Sequence, residues 1–327
     1  MVLINKLRIG SCFSGIGAWE KAFVNLNIKH KLEWYIEFDT YASTSYSAVH
    51  NIDWELNKGD ITKVSPNELE DIDVLTYSPP CQSFSTAGKQ LGFEDKRGIL
   101  FFDALKIIKA KRPKYALMEN VVGLTQNKFR NEFETMLSSL EVEGYNNYWQ
   151  VLNAKDYNIP QNRDRVFIIS IRKDIDNDGF EFPNAAPLTK HLKDFVKIDF
   201  TEKIDKQIMK SCQEPFHNEY EQMLITDKEI YQCKADSGWQ DKKVGIVVSP
   251  ALRANKIHTS VMVDGHIKRL NAEEMWLLMG FTSDDYNKAK NAGVSESKLA
   301  KQAGNSICVP VVEEIYKILF KDYIQTA

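Results

Sequence analysis

The chain is poor in the features that staple, anchor or broadly charge a protein. Its five cysteines (Cys12, Cys81, Cys212, Cys233 and Cys308) are scattered, odd in number and never spaced as Cys-x-x-Cys. That spacing argues against a disulfide framework and against a zinc site, and implies free thiols in a reducing compartment with no bound metal. No apolar run approaches the ~18 residues needed to cross a bilayer, and the opening Met1–Phe13 is too weakly apolar for a secretion signal. A cytoplasmic protein that does not touch a membrane is expected. Internal repeats and low-complexity stretches are also missing. A formal net charge of −3 argues against a surface that coats nucleic acid all over, so any grip on phosphates must come from a local basic face.

What is present is an ordinary globular composition, 43% hydrophobic and 27% charged over 327 residues, enough for one large domain or two and read as a monomer. Short apolar runs alternate with helical periodicity through the first half. Strands are expected over 7–13, 31–39, 71–78, 114–121 and 165–171, the last apolar throughout, as in a sheet covered on both faces. Helical stripes run through Leu100, Phe101, Ala104, Leu105 and Ile108, and through Phe129, Phe133, Met136, Leu137 and Leu140. Such alternation predicts an α/β fold, a doubly wound, mixed but mostly parallel sheet, whose ligands sit at the carboxyl ends of the strands. The unusual residues fall at those ends: Phe13–Gly17, Glu37, Asp60, Pro79–Gln82 and Glu119–Asn120. After about Phe182 the chain turns polar and irregular to residue 268, then becomes helical again to the end.

The stretch "FSGIGAWE" holds Gly15 and Gly17 after the first strand, with Glu37 twenty residues beyond Gly17. A glycine turn followed at that distance by an acid suits a nucleoside, whose ribose hydroxyls the acid receives. Glu20 stands where the third glycine of a dinucleotide fingerprint belongs, and a carboxylate there would repel a pyrophosphate. An ordinary strand-to-helix turn is the bland alternative.

"YSPPCQSFSTAGK" places Cys81 behind two rigid prolines and ahead of a loop with Gly88, Gly92, Gly98, Lys89, Lys96 and Arg97. A thiol serves as a nucleophile only as thiolate, which needs access and a polar or positive setting. Glycines allow such a loop to close as a lid. A lone cysteine is otherwise a small buried hydrophobe. Glu119 in "MENV" and the arginines of "PQNRDRVF" converge on the same edge. Glu119 in a desolvated pocket could share a proton with a ring nitrogen, or simply pair with an arginine. Period-two spacing points Arg163 and Arg165 to one side.

With "FSGIGA", "GDI", "PPCQSFS", "MENV", "QNRDR", "RLNAEE" and "QAGNSI" in that order, the sequence resembles the cytosine-C5 DNA methyltransferases of bacteria and phages almost end to end. The resemblance implies S-adenosylmethionine as cofactor, a Rossmann-like catalytic domain, and double-stranded DNA as partner. By the same resemblance Cys81 attacks C6 of a flipped cytosine, Glu119 holds N3 and the exocyclic amine, and Arg163 or Arg165 holds the 2-carbonyl. The donor lies on Phe13, Ile16 and Gly17, with ribose on Glu37 and adenine on Asp60 and Ile61. Pro80, Leu100, Asn305 and Ser306 complete its pocket. In the loop Gln82–Gly98, DNA contacts fall to Gln82, Ser85, Lys89 and Arg97. Two departures stand out: Ala18 replaces a second glycine, and Tyr77 and Ser78 precede the prolines where glycines are common, which puts a bulkier wall before the donor.

Between Lys242 and Arg269 six basic residues (Lys242, Lys243, Arg253, Lys256, Lys268, Arg269) face one acid, Asp264. Under the resemblance this excess becomes the grip on phosphates, with Gln240, Arg253, Asn255 and Lys256 as base readers. Residues 1–182 and 300–327 are then the catalytic domain, 183–268 the target-recognition domain and 269–299 the hinge. The rival substrates are tRNA, disfavoured because neither Cys212 nor Cys233 sits in Cys-Phe-Thr, and DNA bound without catalysis, disfavoured by the full catalytic set. A nicotinamide enzyme on the same sheet has no use for Cys81.

Overall fold

The computed structural model describes residues 6–80, 100–197, 230–233, 242–245, 248–252, 254, 259–263 and 266–325. Strands β1 (Leu7–Cys12), β2 (His30–Ile36), β3 (Val74–Tyr77), β4 (Tyr115–Val121), β5 (Tyr145–Asn153), β6 (Gln161–Asn162) and β7 (Asp164–Arg172) occupy the first half. All but β6 join one sheet in the order β2-β1-β3-β4-β7-β5. The pairs β1–β2, β1–β3 and β3–β4 are parallel, whereas β7 runs antiparallel to both β4 and β5. The mixed, mostly parallel sheet read from the sequence is therefore present. β5 is the one strand of this sheet the periodicity did not reveal. It lies at the sheet's edge, its residues are mostly part-exposed, and Trp149 remains 46% exposed.

Successive side chains of a strand point to opposite faces, and here both faces are apolar. Leu7, Ile9, Val74, Leu117, Phe167 and Ile169 enter one buried layer; Cys12, Leu75, Tyr77, Met118 and Ile168 enter the other. Helices α1 (Ala18–Asn25), α2 (Thr40–His50), α3 (Leu100–Lys111) and α4 (Arg130–Val142) follow the strands. The stripes of α3 and α4, with Phe101, Ala104, Ile108, Phe133, Met136 and Leu140 fully inward, close the second layer.

The first layer is closed from the far end of the chain. Helices α5 (Ala272–Leu277), α6 (Ser283–Asn291), α7 (Glu296–Asn305) and α8 (Val309–Leu319) end the described fold. Tyr316 of α8 meets Phe23 of α1 with ring centroids 4.3 Å apart, and Ile324 bridges Ile28. Residues 269–299, expected to hinge, carry α5, α6 and the start of α7. Their Met275, Trp276, Leu278 and Leu299 belong to the same apolar layer, and Asp285 holds Lys21 of α1 at 2.8 Å. Strands β8 (Ile230–Cys233), β9 (Lys242–Gly245), β11 (Ser260–Val263) and β12 (His266–Arg269) form a second sheet within the polar stretch. One further strand, β10 (Ser249–Pro250), pairs in parallel with β6 and ties that stretch to the main body.

Glu20 departs from its expected place. It is 3% exposed and turned into the face of the sheet under α1, where the Thr76 hydroxyl lies 3.3 Å from Oε1. Burial holds its carboxyl above the ordinary range, against the opposing hydroxyls of Ser11, Thr76 and Tyr46. It therefore faces no ligand, and repulsion of a pyrophosphate by Glu20 is not what shapes the glycine turn. A carboxyl raised in the folded state binds a proton that the unfolded chain releases, so stability falls as pH rises above the ordinary carboxylic-acid value. Thermal melts of Glu20→Gln should match the wild type near pH 5 and exceed it at pH 8; equal melting temperatures across that range would refute the assignment.

Candidate active site

In an open α/β sheet the crevice lies at the carboxyl ends of the strands, beside the strand where the order reverses. Here that strand is β1, flanked by β2 and β3. A cavity of about 880 Å³ opens there. It is within the ~300–1,000 Å³ typical of ligand pockets.

The turn after β1 supplies the floor. Phe13 sits at φ 55°, a left-handed conformation that strains a bulky aromatic and is found where surrounding structure enforces it. Gly15, also left-handed, donates its backbone N–H to Glu37 Oε2 at 2.8 Å, and the Asp39 N–H donates to Oε1 at 2.8 Å. The carboxylate that ends β2 is thus fixed by one backbone donor on each oxygen, with lone pairs left for a ligand. Burial raises its pKa while those two N–H groups oppose the rise. Asp39 meanwhile caps α2, accepting from Tyr41 N at 2.9 Å and Ala42 N at 3.2 Å.

Asp60 arrives by a different route from the one expected. It ends no strand but caps a short 3-10 turn, Ile61–Lys63, in the connection from α2 to β3. Its Oδ1 accepts from the Thr62 hydroxyl at 2.8 Å and Thr62 N at 3.1 Å, which holds the carboxyl below its ordinary range and keeps it anionic. Asn57 ties the end of β2 to the turn that precedes Asp60. Its Oδ1 accepts from Glu37 N (3.0 Å) and Gly59 N (2.9 Å), and its Nδ2 donates to Glu37 O (3.0 Å).

At the other end of the same cavity stand Glu119 and Arg165. The antiparallel register sets Arg165 opposite Val121, so its guanidinium reaches Glu119 diagonally, Nε to Oε1 at 3.0 Å. Glu119 is 7% exposed. Burial raises its carboxyl pKa, and the charges of Arg165 and Arg163 only partly offset that. The next residue, Asn120, donates from Nδ2 to Pro79 O at 3.2 Å, fixing the segment that leads into Cys81.

Phe13, Ile16, Glu37, Asp60, Ile61, Pro80, Leu100, Asn305 and Ser306 therefore share one cavity with Glu119 and Arg165. Two predicted residues do not. Gly17, at φ 80°, packs backward: a Cβ there would lie 2.1 Å from His50 Nε2. His50, whose pKa burial lowers to about 4, is neutral and donates from Nε2 to Ile16 O at 3.2 Å, which pins the turn. Arg163 lies before the strand proper, where period-two spacing does not apply. It is 2% exposed and donates to the carbonyls of Leu252, Gly304 and Ser306. Tyr77, expected to wall the donor, is fully buried in the second layer; Ser78 lines the cavity and accepts from Trp19 Nε1 at 3.3 Å. Cys81, Gln82, Ser85, Lys89, Arg97, Gln240, Arg253, Asn255 and Lys256 lie outside the described residues. Cys12 and Cys308 are buried, and burial raises both thiols, Cys308 to about 12, so neither is a nucleophile at neutral pH.

Sequence reasoning missed several lining residues. Phe38, 77% exposed, and Tyr41 stand at the mouth, and Lys298 lies 4.4 Å from the Tyr41 ring centroid. Gln302 docks α7 on α2 by donating to Tyr41 O and accepting from Ser45 Oγ, both at 2.9 Å. The exposed aromatic after Glu37 was the one available signal; the rest depend on tertiary proximity.

A cavity at the carboxyl ends of the strands, joining fixed acids to a buried Glu–Arg pair, is the ligand site of a doubly wound α/β fold. The family model for C-5 cytosine-specific DNA methylases matches residues 7–321. The chain is 30% identical to the orphan methyltransferase M.SPRI of Bacillus phage SPR, with 98% of this chain and 99% of that one covered. Against the type II methyltransferase M2.ScrFI of Lactococcus lactis subsp. cremoris it is 32% identical, covering 96% and 99%. The Dnmt2 methyltransferase of S. pombe superposes with a TM-score of 0.69 at 22% identity over 97% of this chain and 99% of that one, a likeness of fold. The chain belongs to the C-5 cytosine-specific DNA methylase family, and its activity is that of a DNA (cytosine-5-)-methyltransferase.

Gly17→Ala should destabilise the protein by about 2 kcal/mol or more, since a left-handed non-glycine residue alone is worth roughly 1–2 kcal/mol and the His50 clash adds to it. Chemical denaturation would check this, and an unchanged midpoint would show that the turn relaxes freely.

Proposed function

We propose that the protein transfers a methyl group from S-adenosylmethionine to C5 of a cytosine extruded from a specific duplex DNA site, through a covalent bond from Cys81 to C6. The observation that supports this most is a single cavity with fixed acids at one end and the Glu119–Arg165 pair at the other, and Pro80, the neighbour of Cys81, on its wall.

The residues fit the donor by their chemistry. Glu37, held by two backbone donors, suits a ribose diol, and anionic Asp60 with the Ile61 backbone suits an adenine edge, between Phe13 and Leu100. S-adenosylmethionine bound there would supply an electrophilic methyl group on a sulfonium, which C5 takes up. Cys81 adds as thiolate to C6, and the electron pair of the C5=C6 bond moves onto C5, conjugated with the N3-protonated ring as an enamine, which makes C5 nucleophilic. Glu119, whose raised pKa favours the protonated form, donates to N3 and steadies the exocyclic amine. Arg165 holds Glu119 in place and reaches the 2-carbonyl side. A base then takes the C5 proton, the electron pair of that C–H bond re-forms C5=C6, and the C6–S bond breaks to release Cys81 as thiolate. Attack on C6 comes from above the ring, which a stacked base forbids, so the cytosine leaves the helix.

Under this reading residues 1–182 and 300–327 carry catalysis, 183–268 select the target and 269–299 join them. Lys242, Lys243, Arg253, Lys256, Lys268 and Arg269 meet phosphates.

Bisulfite or single-molecule sequencing of a plasmid from expressing cells should reveal 5-methylcytosine at one recurring site. With labelled donor, label should enter duplex DNA; label entering total tRNA alone would overturn the substrate. A duplex carrying 5-fluorocytosine should trap the wild type covalently and Cys81→Ala not at all, while that variant binds donor within a few-fold of wild type. By calorimetric titration, Glu37→Ala should weaken donor binding by about 1–3 kcal/mol, the scale of lost charged hydrogen bonds; undiminished affinity would remove Glu37 from the donor site.

A further inference from the structure

We propose that Arg163 is a positioning residue that couples the donor side of the cavity to the segment entering the recognition region. The proposal rests on the function given above and concerns how its two binding sites communicate.

The guanidinium of Arg163 is buried and forked between two parts of the chain nearly ninety residues or more from it in sequence. Nη1 donates to Leu252 O at 2.9 Å, and Nη2 to Gly304 O at 3.0 Å and Ser306 O at 2.6 Å. Gly304 and Ser306 bracket Asn305, and all three line the cavity. Leu252 directly precedes Arg253 in the basic stretch. The same short segment is held a second time beside Arg163. Ser249 N donates to Pro160 O at 2.7 Å, β10 pairs with β6, and Leu252 N donates to Gln161 Oε1 at 3.3 Å. Gln161 in turn donates from Nε2 to Leu278 O at 2.9 Å. The Arg163 backbone is anchored by Asn153, whose Oδ1 accepts from Arg163 N at 3.2 Å.

A planar guanidinium holds its donors at fixed angles, so carbonyls bonded to one fork keep a fixed separation. Buried carbonyls without those donors would be left unsatisfied, which resists any independent shift of either side. A ligand that orders Gly304–Ser306 therefore orders Leu252 through one rigid group. Linkage makes the effect reciprocal: DNA that orders the recognition segment tightens donor binding by the same factor.

The test titrates S-adenosylhomocysteine with and without a saturating duplex that carries the methylated site. In the wild type the duplex should tighten binding by about fivefold or more, within the usual range of site coupling. Arg163→Lys keeps the charge but cannot span both sides. It should melt cooperatively, bind each ligand alone within a few-fold of wild type, and show a ratio near one. A wild-type ratio retained in the Lys variant overturns the proposal, as does a ratio of one in the wild type. Hydrogen exchange on the wild type gives an answer even where the variant fails to fold. S-adenosylhomocysteine should slow exchange at the Ser249 and Leu252 amides, and unchanged rates there would overturn the coupling. A wild type that binds neither ligand and methylates nothing would instead refute the function itself, before any variant is made.

Discussion

A carboxyl group buried at the end of a β-strand must be paired, protonated or both, and Glu119 is held between those states. Burial favours the neutral acid, and the Arg165 guanidinium at 3.0 Å favours the anion. Burial outweighs the cation, so the carboxyl sits above its ordinary range and can carry a proton at the cavity wall. The sheet's topology creates this balance. Had β7 run parallel to β4, its amino end would lie at the opposite edge of the sheet, and Arg165 would be far from Glu119. The reversal after β5 brings the start of β7 to the edge where β1, β2, β3 and β4 all finish. One antiparallel pairing therefore delivers a cation to an edge that parallel strands supply with acids.

The end of the cavity at Glu37 shows a complementary strategy, in which the carboxylate is held by backbone rather than by charge. Glu37 receives Gly15 N and Asp39 N, Asp60 receives Thr62, and Asn57 ties the two loops together. A lysine or arginine against Glu37 would neutralise its carboxylate and occupy its lone pairs. Neutral dipoles fix position and leave acceptor capacity unspent. The strained Phe13 and the His50–Ile16 contact belong to the same scheme, since both stiffen the turn that brings Gly15 to Glu37.

Much of this was legible before any coordinates. Short apolar runs gave β1, β2, β3, β4 and β7, and the motifs gave part of the cavity's lining, because strand ends of such a sheet converge by topology alone. The failures have specific physical causes. β5 is an edge strand with one neighbour, so its burial pattern is weak. Arg163 and Arg165 look equivalent by spacing, yet only Arg165 lies within a regular strand; Arg163 is turned inward, donating to the carbonyls of residues 252, 304 and 306, which no local pattern contains. Glu20 was read against a pyrophosphate because it stands at the third glycine position of a dinucleotide fingerprint, but Ser11 and Thr76 offer hydroxyls on the inner side. Asn57 carries no motif signal, since its role depends on β2 and the Gly59 loop meeting in space.

The return of the chain's end to its beginning follows from the same convergence. Asn305 and Ser306 line the cavity at the end of β1, beside the glycine turn and the end of β2. Helix α8 buries Val312, Ile315 and Tyr316 against α1, so the loop ahead of it is clamped over the crevice by an apolar contact rather than by the site's own polar groups. That arrangement separates two demands. Hydrophobic burial, which tolerates the site's changes of charge, fixes where the loop lies. The polar groups of the loop then remain available to a ligand, apart from the two carbonyls that Arg163 takes. A cavity whose walls come from both halves of the fold is complete only when both are folded, so its shape depends on the whole sheet and not on one half.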